Sequence, residues 1–237
     1  MGTVTMSLGC LLAVLVFGVA LASANDKRGK EMILKNCHCT CFDEDIPHPD
    51  VCNATTPGAC NAYADAEVVF VSRSEWHARP PIKPLLDLET IPAPYVVISH
   101  TATKSCFTKD QCLPHIRSIQ AFHIESHGWL DIGYNFLVGG DGLVYIGRGW
   151  DKQGAYTHKY HQNSIEISFI GTFREETPSA AQIATTKKLL QIGLRENKLA
   201  KDYKLLEHKQ VGVPHTQRPG DHLYDIIKTW EHWDPNH

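Results

Sequence analysis

Cysteine and histidine are densest between Cys37 and Cys41, where the chain reads Cys-His-Cys-Thr-Cys. Thiolates and an imidazole this close together could ligate a zinc ion. Disulfide bonding is the alternative, and it prevails in oxidising compartments. The N-terminus favours disulfides, because an apolar run from Leu8 to Leu21 ends in Ala22-Ser23-Ala24, which satisfies the small-x-small rule of signal peptidase. We therefore expect a secreted, extracellular protein whose cysteines form disulfides rather than a metal site.

Removal of residues 1–24 as a signal peptide leaves an odd number of cysteines, and five of these seven fall between Cys37 and Cys60. At least one cysteine is then free or bonded to another chain, which leaves a disulfide-linked homodimer open. Asn53-Ala54-Thr55 is a glycosylation sequon in the same polar region. We expect a Cys-rich extension over residues 25–65, whose role the sequence does not reveal, and one domain over residues 66–237.

The charge and hydropathy of the chain exclude two classes of partner. The formal net charge is −3 at pH 7, and no basic block is present that could displace counterions from nucleic acid or an anionic membrane. No run after the signal segment approaches the ~20 apolar residues that a membrane span needs. We therefore expect a soluble domain without a membrane span.

Alternating strand and helix patterns predict an α/β fold, with a mixed central β-sheet packed against about three helices. Apolar, β-branched runs predict strands at 66–71, 95–99 and 165–171. Helical spacing predicts a first helix from about Lys109 to His127 that Gly128 terminates. It also predicts a second helix with Thr177 as N-cap and Pro178 at its first position, ending near Leu194, and a closing helix from Leu223 to Trp230.

The segment from Gly128 to Trp150 combines a hairpin signature with residue types that line binding grooves. Tyr134–Gly139 and Leu143–Ile146 are predicted strands, and Gly140-Asp141-Gly142 supplies the positive-φ positions of a tight turn. Trp129, Tyr134 and Trp150 place aromatic rings around it. Each residue alone is explained as a core or turn residue, but the ordered group indicates a binding surface.

Further segments occur in a characteristic order: SRSEWHARPP (72–81), YVVISHTAT (95–103), the Cys106/Cys112 pair, IQAFHIESHGW (119–129), ISFIGTF (167–173) and RPGDHLYDIIKTWEHW (218–233). With the hairpin they resemble the peptidoglycan recognition protein family, over about residues 66 to 237. The resemblance implies the family's amidase-like α/β fold and a disulfide between Cys106 and Cys112.

Catalytic members of this family hold a zinc ion with two histidines and a cysteine, and a tyrosine assists the metal-bound water. That water cleaves the amide between N-acetylmuramic acid and L-alanine. Tyr134 and His208 match two of these positions. The other two differ, because Ser99 stands at the first histidine and Arg218 at the cysteine. A guanidinium about 4 Å from Zn²⁺ costs roughly 8 kcal/mol at an effective dielectric near 20, so the resemblance implies a domain without catalytic residues and without a cofactor.

Two rearrangements could restore a zinc site. His100 could replace Ser99, but successive strand residues point to opposite faces, so this needs a one-residue slip of a buried strand. The loop from His208 to Arg218 is two residues longer than is usual in the family, which could bring His215 to the metal. A His100/His208/His215 site is therefore the alternative that retains amidase activity.

Without catalysis, the resemblance implies a ligand-binding groove. Its candidate residues lie at the end of a central strand, on the first helix, on the hairpin and on the following loop. That loop departs from the family at two places, since Tyr156 stands where histidine is common and Asp151-Lys152 is neither of the residue pairs usually associated with one stem-peptide type. The candidates are Ser99, His100, Thr101, His123, Trp129, Tyr134, Arg148, Trp150, Asp151, Lys152, Tyr156, Arg174 and His208.

By the resemblance, Arg174 indicates a preference for diaminopimelic-acid peptidoglycan, because family members with that preference tend to have arginine at this position. A guanidinium matches the extra carboxylate of diaminopimelate. The sequence thus predicts a secreted glycoprotein that acts as a pattern-recognition receptor for bacterial peptidoglycan or muropeptides in the innate immune response, with further protein partners in signalling. The alternatives are the rearranged zinc amidase and a decoy or co-receptor that binds no peptidoglycan.

Overall fold

The computed structural model describes residues 67–157, 159–211 and 221–237. The predicted signal peptide, the extension with its five cysteines, the Asn53 sequon, His215 and Arg218 lie outside these residues. In the described part the chain forms six strands and four helices. The strands are β1 (Phe70–Val71), β2 (Ala93–His100), β3 (Phe136–Val138), β4 (Val144–Ile146), β5 (Ser164–Phe169) and β6 (Leu199–Glu207). The helices are α1 (Lys109–Glu125), α2 (Ala180–Arg195), α3 (His208–Val211) and α4 (Asp221–Ile227).

The six strands form one mixed sheet in the order β1-β4-β3-β5-β2-β6. Only the β3–β4 pair, which is the predicted hairpin, is antiparallel. Gly142, with φ of 74°, supplies the left-handed position of its turn. β2 lies between β5 and β6. At its carboxyl end it pairs with β5, and Ser99 lies opposite Ser168. The predicted mixed α/β fold is confirmed.

Helices cover both faces of the sheet. Phe136 and Val138 pack with Leu189 of α2 and Leu223 of α4, in one apolar cluster. Leu137, between them on β3, packs with Ile116 of α1 in a second cluster. Because successive strand residues point to opposite faces, α1 covers one face while α2 and α4 cover the other. The residue types along each strand therefore determine which side chains reach the α1 face.

Two helix starts show how local hydrogen bonds determine element boundaries. α1 begins after Thr108, whose side chain accepts from the backbone N–H of Gln111. α2 begins after Ser179, two residues later than the predicted Thr177 cap. Ser179 Oγ accepts from Gln182 N at 3.1 Å, and Gln182 Oε1 accepts from Ser179 N at 3.2 Å. This reciprocal pair satisfies two N-terminal donors, whereas a cap at Thr177 would have Ala180 three residues later, whose side chain cannot return a hydrogen bond.

β6 was not predicted from the sequence. Its exposed residues Lys201, Asp202 and Lys204 interrupt the apolar pattern, so the segment resembles a polar connection. The Cys106–Cys112 disulfide is present, with its Cα atoms 5.2 Å apart, and it joins the segment before α1 to the first turns of that helix. Among the described residues, no helix is both long and apolar enough to cross a membrane.

Candidate functional site

A cavity of about 610 Å³ opens on the α1 face, at the carboxyl end of β2. Ligands of open α/β sheets bind at this end, because the loops that leave the strands form a crevice there. We call this cavity the groove. Its lining comprises Thr101, Ala102, Thr103, Lys104, His115, Ser118, Ile119, Phe122, His123, His127, Tyr134 and Tyr156.

Two tyrosines and a histidine form the inner part of the groove. The rings of Tyr134 and Tyr156 lie 5.1 Å apart between centroids, and that of His123 lies 5.3 Å from Tyr134. Burial raises the pKa of both tyrosines, and nearby Glu166 adds to the effect. Both phenols are therefore neutral at physiological pH, and each can donate and accept a hydrogen bond.

The imidazole of His123 is neutral, and a backbone hydrogen bond determines its tautomer. Its Nδ1 accepts from the backbone N–H of Gly133 at 3.0 Å, so Nε2 carries the proton. Burial, followed by the charges of His127 and Arg148, lowers the pKa of His123 to about 3. The inner groove thus presents neutral hydrogen-bonding groups, which suit a polar ligand such as a peptide amide or a sugar hydroxyl.

Aromatic side chains form the outer part of the α1 wall. Phe122 is 54% exposed, and its ring centroid lies 4.7 Å from that of His127. His127 in turn stacks on Trp129, with centroids 4.8 Å apart and an interplanar angle of 21°. Such exposed apolar rings provide flat surfaces for methyl groups or the apolar faces of sugars. His127 and Trp129 also line a second cavity of about 560 Å³, which shares Tyr156 with the groove.

The opposite wall consists of two loops that hydrogen bonds join. Gly171 N donates to Thr101 Oγ1 at 3.1 Å, and Thr172 Oγ1 donates to the carbonyl oxygen of Thr103 at 2.8 Å. Ala102 has a φ of 55°, a left-handed conformation that costs about 1–2 kcal/mol in a residue other than glycine. The two bonds stabilise this conformation and fix the rim of the groove.

Four of the predicted site residues line the groove: Thr101, His123, Tyr134 and Tyr156. Arg174 does not line it. It is exposed, two residues after Thr172, which binds Thr103 on the rim. Arg148 and Trp129 line the second cavity.

The donors of Arg148 are already used. Its Nε donates to Ile132 O at 2.6 Å, and its Nη1 donates to Gln153 O at 2.8 Å and to Gly154 O at 3.2 Å. Desolvation lowers its pKa, although Asp131 and Glu166 oppose that effect. Arg148 therefore orders the loop after the hairpin, and its guanidinium has little capacity left for a ligand.

Three predicted residues of the same loop lie away from the groove. Trp150 packs on Phe136 in the cluster on the opposite face, with centroids 4.6 Å apart. Asp151 pairs with Lys198 at 2.7 Å, and Lys152 with Asp87. The sequence predicts that all three residues line the groove. In the structure Trp150 packs into the apolar cluster, and Asp151 and Lys152 form surface ion pairs instead.

Ser99, His100 and His208 are buried beneath the groove rather than in its lining. Ser99 shares the α1 face with Ser168, its partner in register. His100 points to the other face, where its ring centroid lies 6.5 Å from that of Phe173. His208 follows β6, and its ring centroid lies 4.6 Å from that of Tyr156. Burial is the main cause that lowers the pKa of His208 to about 4; a hydrogen bond with the Tyr156 backbone opposes it and nearby His100 adds to it, so the two histidines are close enough to interact.

A catalytic zinc site would require more metal ligands than the described residues bring together. Catalytic zinc needs three protein ligands. No three histidine, cysteine, aspartate or glutamate side chains converge in the described part of the chain. His208 Nε2 is buried without a hydrogen-bond partner, so one ligand is available, but Ser99 offers only a neutral hydroxyl. The donor set in the described residues does not fit a catalytic zinc ion.

Sequence reasoning missed several residues of the site. Lys104 and His115 line the groove but lie outside the segments that carry the resemblance, and Phe122 and His127 lie within one of those segments without being among the candidate residues. Glu166 was missed as well, because it lies within an apolar strand. The sequence does contain a signal for Glu166, since a single charged residue in the run IEISFIG is unusual for a strand that is covered on both faces.

Comparison with known proteins agrees with this geometry. The family model for N-acetylmuramoyl-L-alanine amidase matches residues 89–221. Peptidoglycan-recognition protein SC2 of Drosophila simulans is 41% identical over 172 residues, which cover 73% of this chain and 91% of that protein. The chain belongs to the peptidoglycan recognition protein family. Peptidoglycan-recognition protein LE of Drosophila melanogaster is 45% identical over 164 residues, 69% of this chain and 47% of that protein.

A solved structure of this family gives the same fold. The crystal structure of peptidoglycan recognition protein-LE in complex with tracheal cytotoxin, a monomeric diaminopimelic acid-type peptidoglycan, superimposes with a TM-score of 0.68. The two chains are 43% identical, and the match covers 71% of this chain and 96% of that one. The α/β architecture predicted from the sequence is thus that of the family.

Proposed function

We propose that this protein is a secreted receptor for bacterial peptidoglycan that acts in innate immunity without amidase activity. The observation that carries the proposal is the groove, in which neutral hydrogen-bonding groups and exposed aromatic rings line a cavity of about 610 Å³. Muropeptides need this combination, because they present amides, hydroxyls and carboxylates together with methyl groups and apolar sugar faces. The relative LE, of similar fold, binds tracheal cytotoxin.

The lack of amidase activity rests on the donor set. Ser99 and His100 lie on opposite faces of β2, so exchanging one for the other would require a slip of a strand that is paired on both sides. Arg218 replaces the cysteine ligand in the sequence. The rearranged site of His100, His208 and His215 remains the alternative, since His100 and His208 interact.

A preference for diaminopimelic-acid peptidoglycan is the finer part of the proposal. Arg174 is exposed near the rim, close to the loop pair of Thr103 and Thr172. A guanidinium there can bind a carboxylate through two parallel hydrogen bonds. Export by residues 1–24, glycosylation at Asn53 and a disulfide-linked dimer through the extension belong to the same proposal.

The proposal is tested by calorimetric titration of the purified protein with matched diaminopimelic-type and lysine-type muropeptides. Saturable binding of the first supports a receptor, whereas no binding of either favours a decoy or co-receptor. Elemental analysis and an assay for released stem peptides address catalysis. One zinc per chain with amidase activity would replace the proposal by the rearranged site. The double variant Ser99→His with Arg218→Cys is the positive control for metal binding.

A further inference from the structure

A buried carboxyl group lies beneath the groove, at a position outside the zinc-ligand and tyrosine positions described above. Glu166 on β5 is 1% exposed and shares the α1 face with Ser99 and Ser168. Its Oε2 accepts from Thr157 Oγ1 at 2.9 Å. Ser99 and Arg148 lie close enough to oppose the rise that burial causes in the pKa of Glu166. Glu166 in turn raises the pKa of Tyr134 and Tyr156. Glu166 thus lies close to Tyr134 and Tyr156, the two tyrosines of the inner groove.

Its backbone belongs to the same network. Glu166 N donates to Asn135 Oδ1 at 2.9 Å, and Asn135 Nδ2 donates to the carbonyl oxygens of Gly149 and Lys152, both at 2.7 Å. Asn135 is fully buried. The loop over residues 148–157 is therefore held at its start through Asn135 and at its end through the Glu166 side chain. Tyr156, which lines the groove, precedes the residue that Glu166 binds.

We propose that Glu166 is a positioning residue for muropeptide binding, whose carboxyl group holds the loop 148–157, and with it Tyr156, in the conformation that forms the groove. This inference rests on the proposed function, because it assigns a role within the same site. A carboxyl group in this place costs desolvation free energy, which an apolar residue of similar size would avoid. Its hydrogen bond to Thr157 is what an apolar residue cannot supply.

The test compares affinity for a diaminopimelic-type muropeptide among four variants. Glu166→Ala removes the carboxyl group and is expected to weaken binding about tenfold or more. Glu166→Gln retains an acceptor for Thr157 and is expected to restore most of that affinity. Thr157→Val removes the same hydrogen bond from the other side and is expected to weaken binding by roughly threefold to tenfold, as the loss of one buried hydrogen bond predicts.

Thr186→Val is the matched control. Thr186 is also fully buried and donates one hydrogen bond, to Gln182 O at 2.8 Å, but it lies on α2 on the opposite face of the sheet. Its substitution is chemically identical to that of Thr157 and is expected to leave affinity unchanged. An equal loss of affinity in both threonine variants would overturn the proposal, since it would trace the loss to general destabilisation. Wild-type affinity in Glu166→Ala, or equally weak binding in the Gln and Ala variants, would do the same.

Hydrogen exchange without ligand separates this inference from the proposed function. Ala155 N donates to Gly133 O and Gln153 N to Leu86 O, so both amides report on the loop. We expect their protection to fall in Glu166→Ala and Thr157→Val but to persist in Glu166→Gln and Thr186→Val. Equal protection in all four variants overturns the positioning role even if the wild type binds muropeptide. Failure of the wild type to bind any muropeptide overturns the proposed function, and the exchange data still decide whether Glu166 holds the loop.

Discussion

Arg73 and Asp131 form an ion pair of 2.9 Å that links the segment after β1 to the segment before the hairpin. Asp131 is fully buried, and its other oxygen accepts from Gln120 Nε2 on α1 and from the Ile132 backbone N–H, both at 2.7 Å. One carboxylate thus joins three parts of the chain that are distant in sequence, next to the residues that form the groove.

Replacing Asp131 by alanine is expected to lower the free energy of unfolding by about 3–5 kcal/mol, because Arg73, Gln120 and the Ile132 backbone N–H each lose their acceptor. Urea denaturation followed by circular dichroism measures it. Asp225→Ala is the control, since Asp225 pairs with Lys228 on the surface, where solvent screens an ion pair and its contribution to stability is small. Equal losses in the two variants would contradict a special role for Asp131.

The change in the free energy of unfolding between about pH 5 and pH 8 is expected to depend on Glu166. Burial raises its pKa from 4.5 to about 8, so between these values the folded state binds a proton that the unfolded state has released. Stability therefore falls as pH rises through this window, by on the order of several kcal/mol in total. Glu166→Gln cannot ionise, and its free energy of unfolding should decline much less between pH 5 and pH 8. Parallel profiles for the two proteins would show that Glu166 is ionised in the folded state.

The acid side is expected to depend on the groove histidine. Because burial lowers the pKa of His123 to about 3, the unfolded state binds a proton between pH 6.5 and 3 that the folded state does not. Stability therefore falls as pH drops through this window. His123→Gln should flatten the decline, whereas His222→Gln, at an exposed position, should not. Thermal melts in a series of buffers from pH 7 to pH 4 provide the comparison, and an unchanged slope in His123→Gln would contradict the neutral state assigned to this imidazole.

How much the sequence could predict differed between elements. The hairpin and α1 follow from turn residues and helical periodicity, which are local signals. β6 could not be predicted, because its charged residues follow neither strand alternation nor a continuous apolar run, and pairing with β2 determines its conformation. In the site, Thr101 and Tyr134 were found through motifs. The prediction that Trp150 lies in the groove is wrong, because the path of its loop depends on long-range hydrogen bonds, such as those of Asn135, that no motif encodes.

Loss of the disulfide is expected to destabilise the groove rim. Replacing both Cys106 and Cys112 by alanine should lower the free energy of unfolding by about 2–3 kcal/mol, from the loop-closure entropy of a short loop. Muropeptide affinity should fall as well, because Thr101–Lys104 precede the bridge and line the groove. Differential scanning calorimetry and titration measure the two effects. A variant that retains both the melting temperature and the affinity would show that the hydrogen bonds of Thr101 and Thr103 suffice to hold the rim.

Discrimination between peptidoglycan types is expected to depend on Arg174. Arg174 is exposed, two residues after Thr172, which binds the rim residue Thr103, so it is the exposed arginine that we propose for a ligand carboxylate at this end of the groove. Charge-assisted hydrogen bonds contribute about 1.5–3 kcal/mol, which corresponds to roughly a tenfold to hundredfold preference for diaminopimelate over lysine. Arg174→Ala should weaken binding of the diaminopimelic-type muropeptide by that factor and leave lysine-type binding almost unchanged. Arg195→Ala, an exposed arginine at the end of α2 whose partner is Glu196, serves as the control for a simple loss of positive charge. Equal losses for both ligands, or the same loss in the control, would assign the discrimination to another residue.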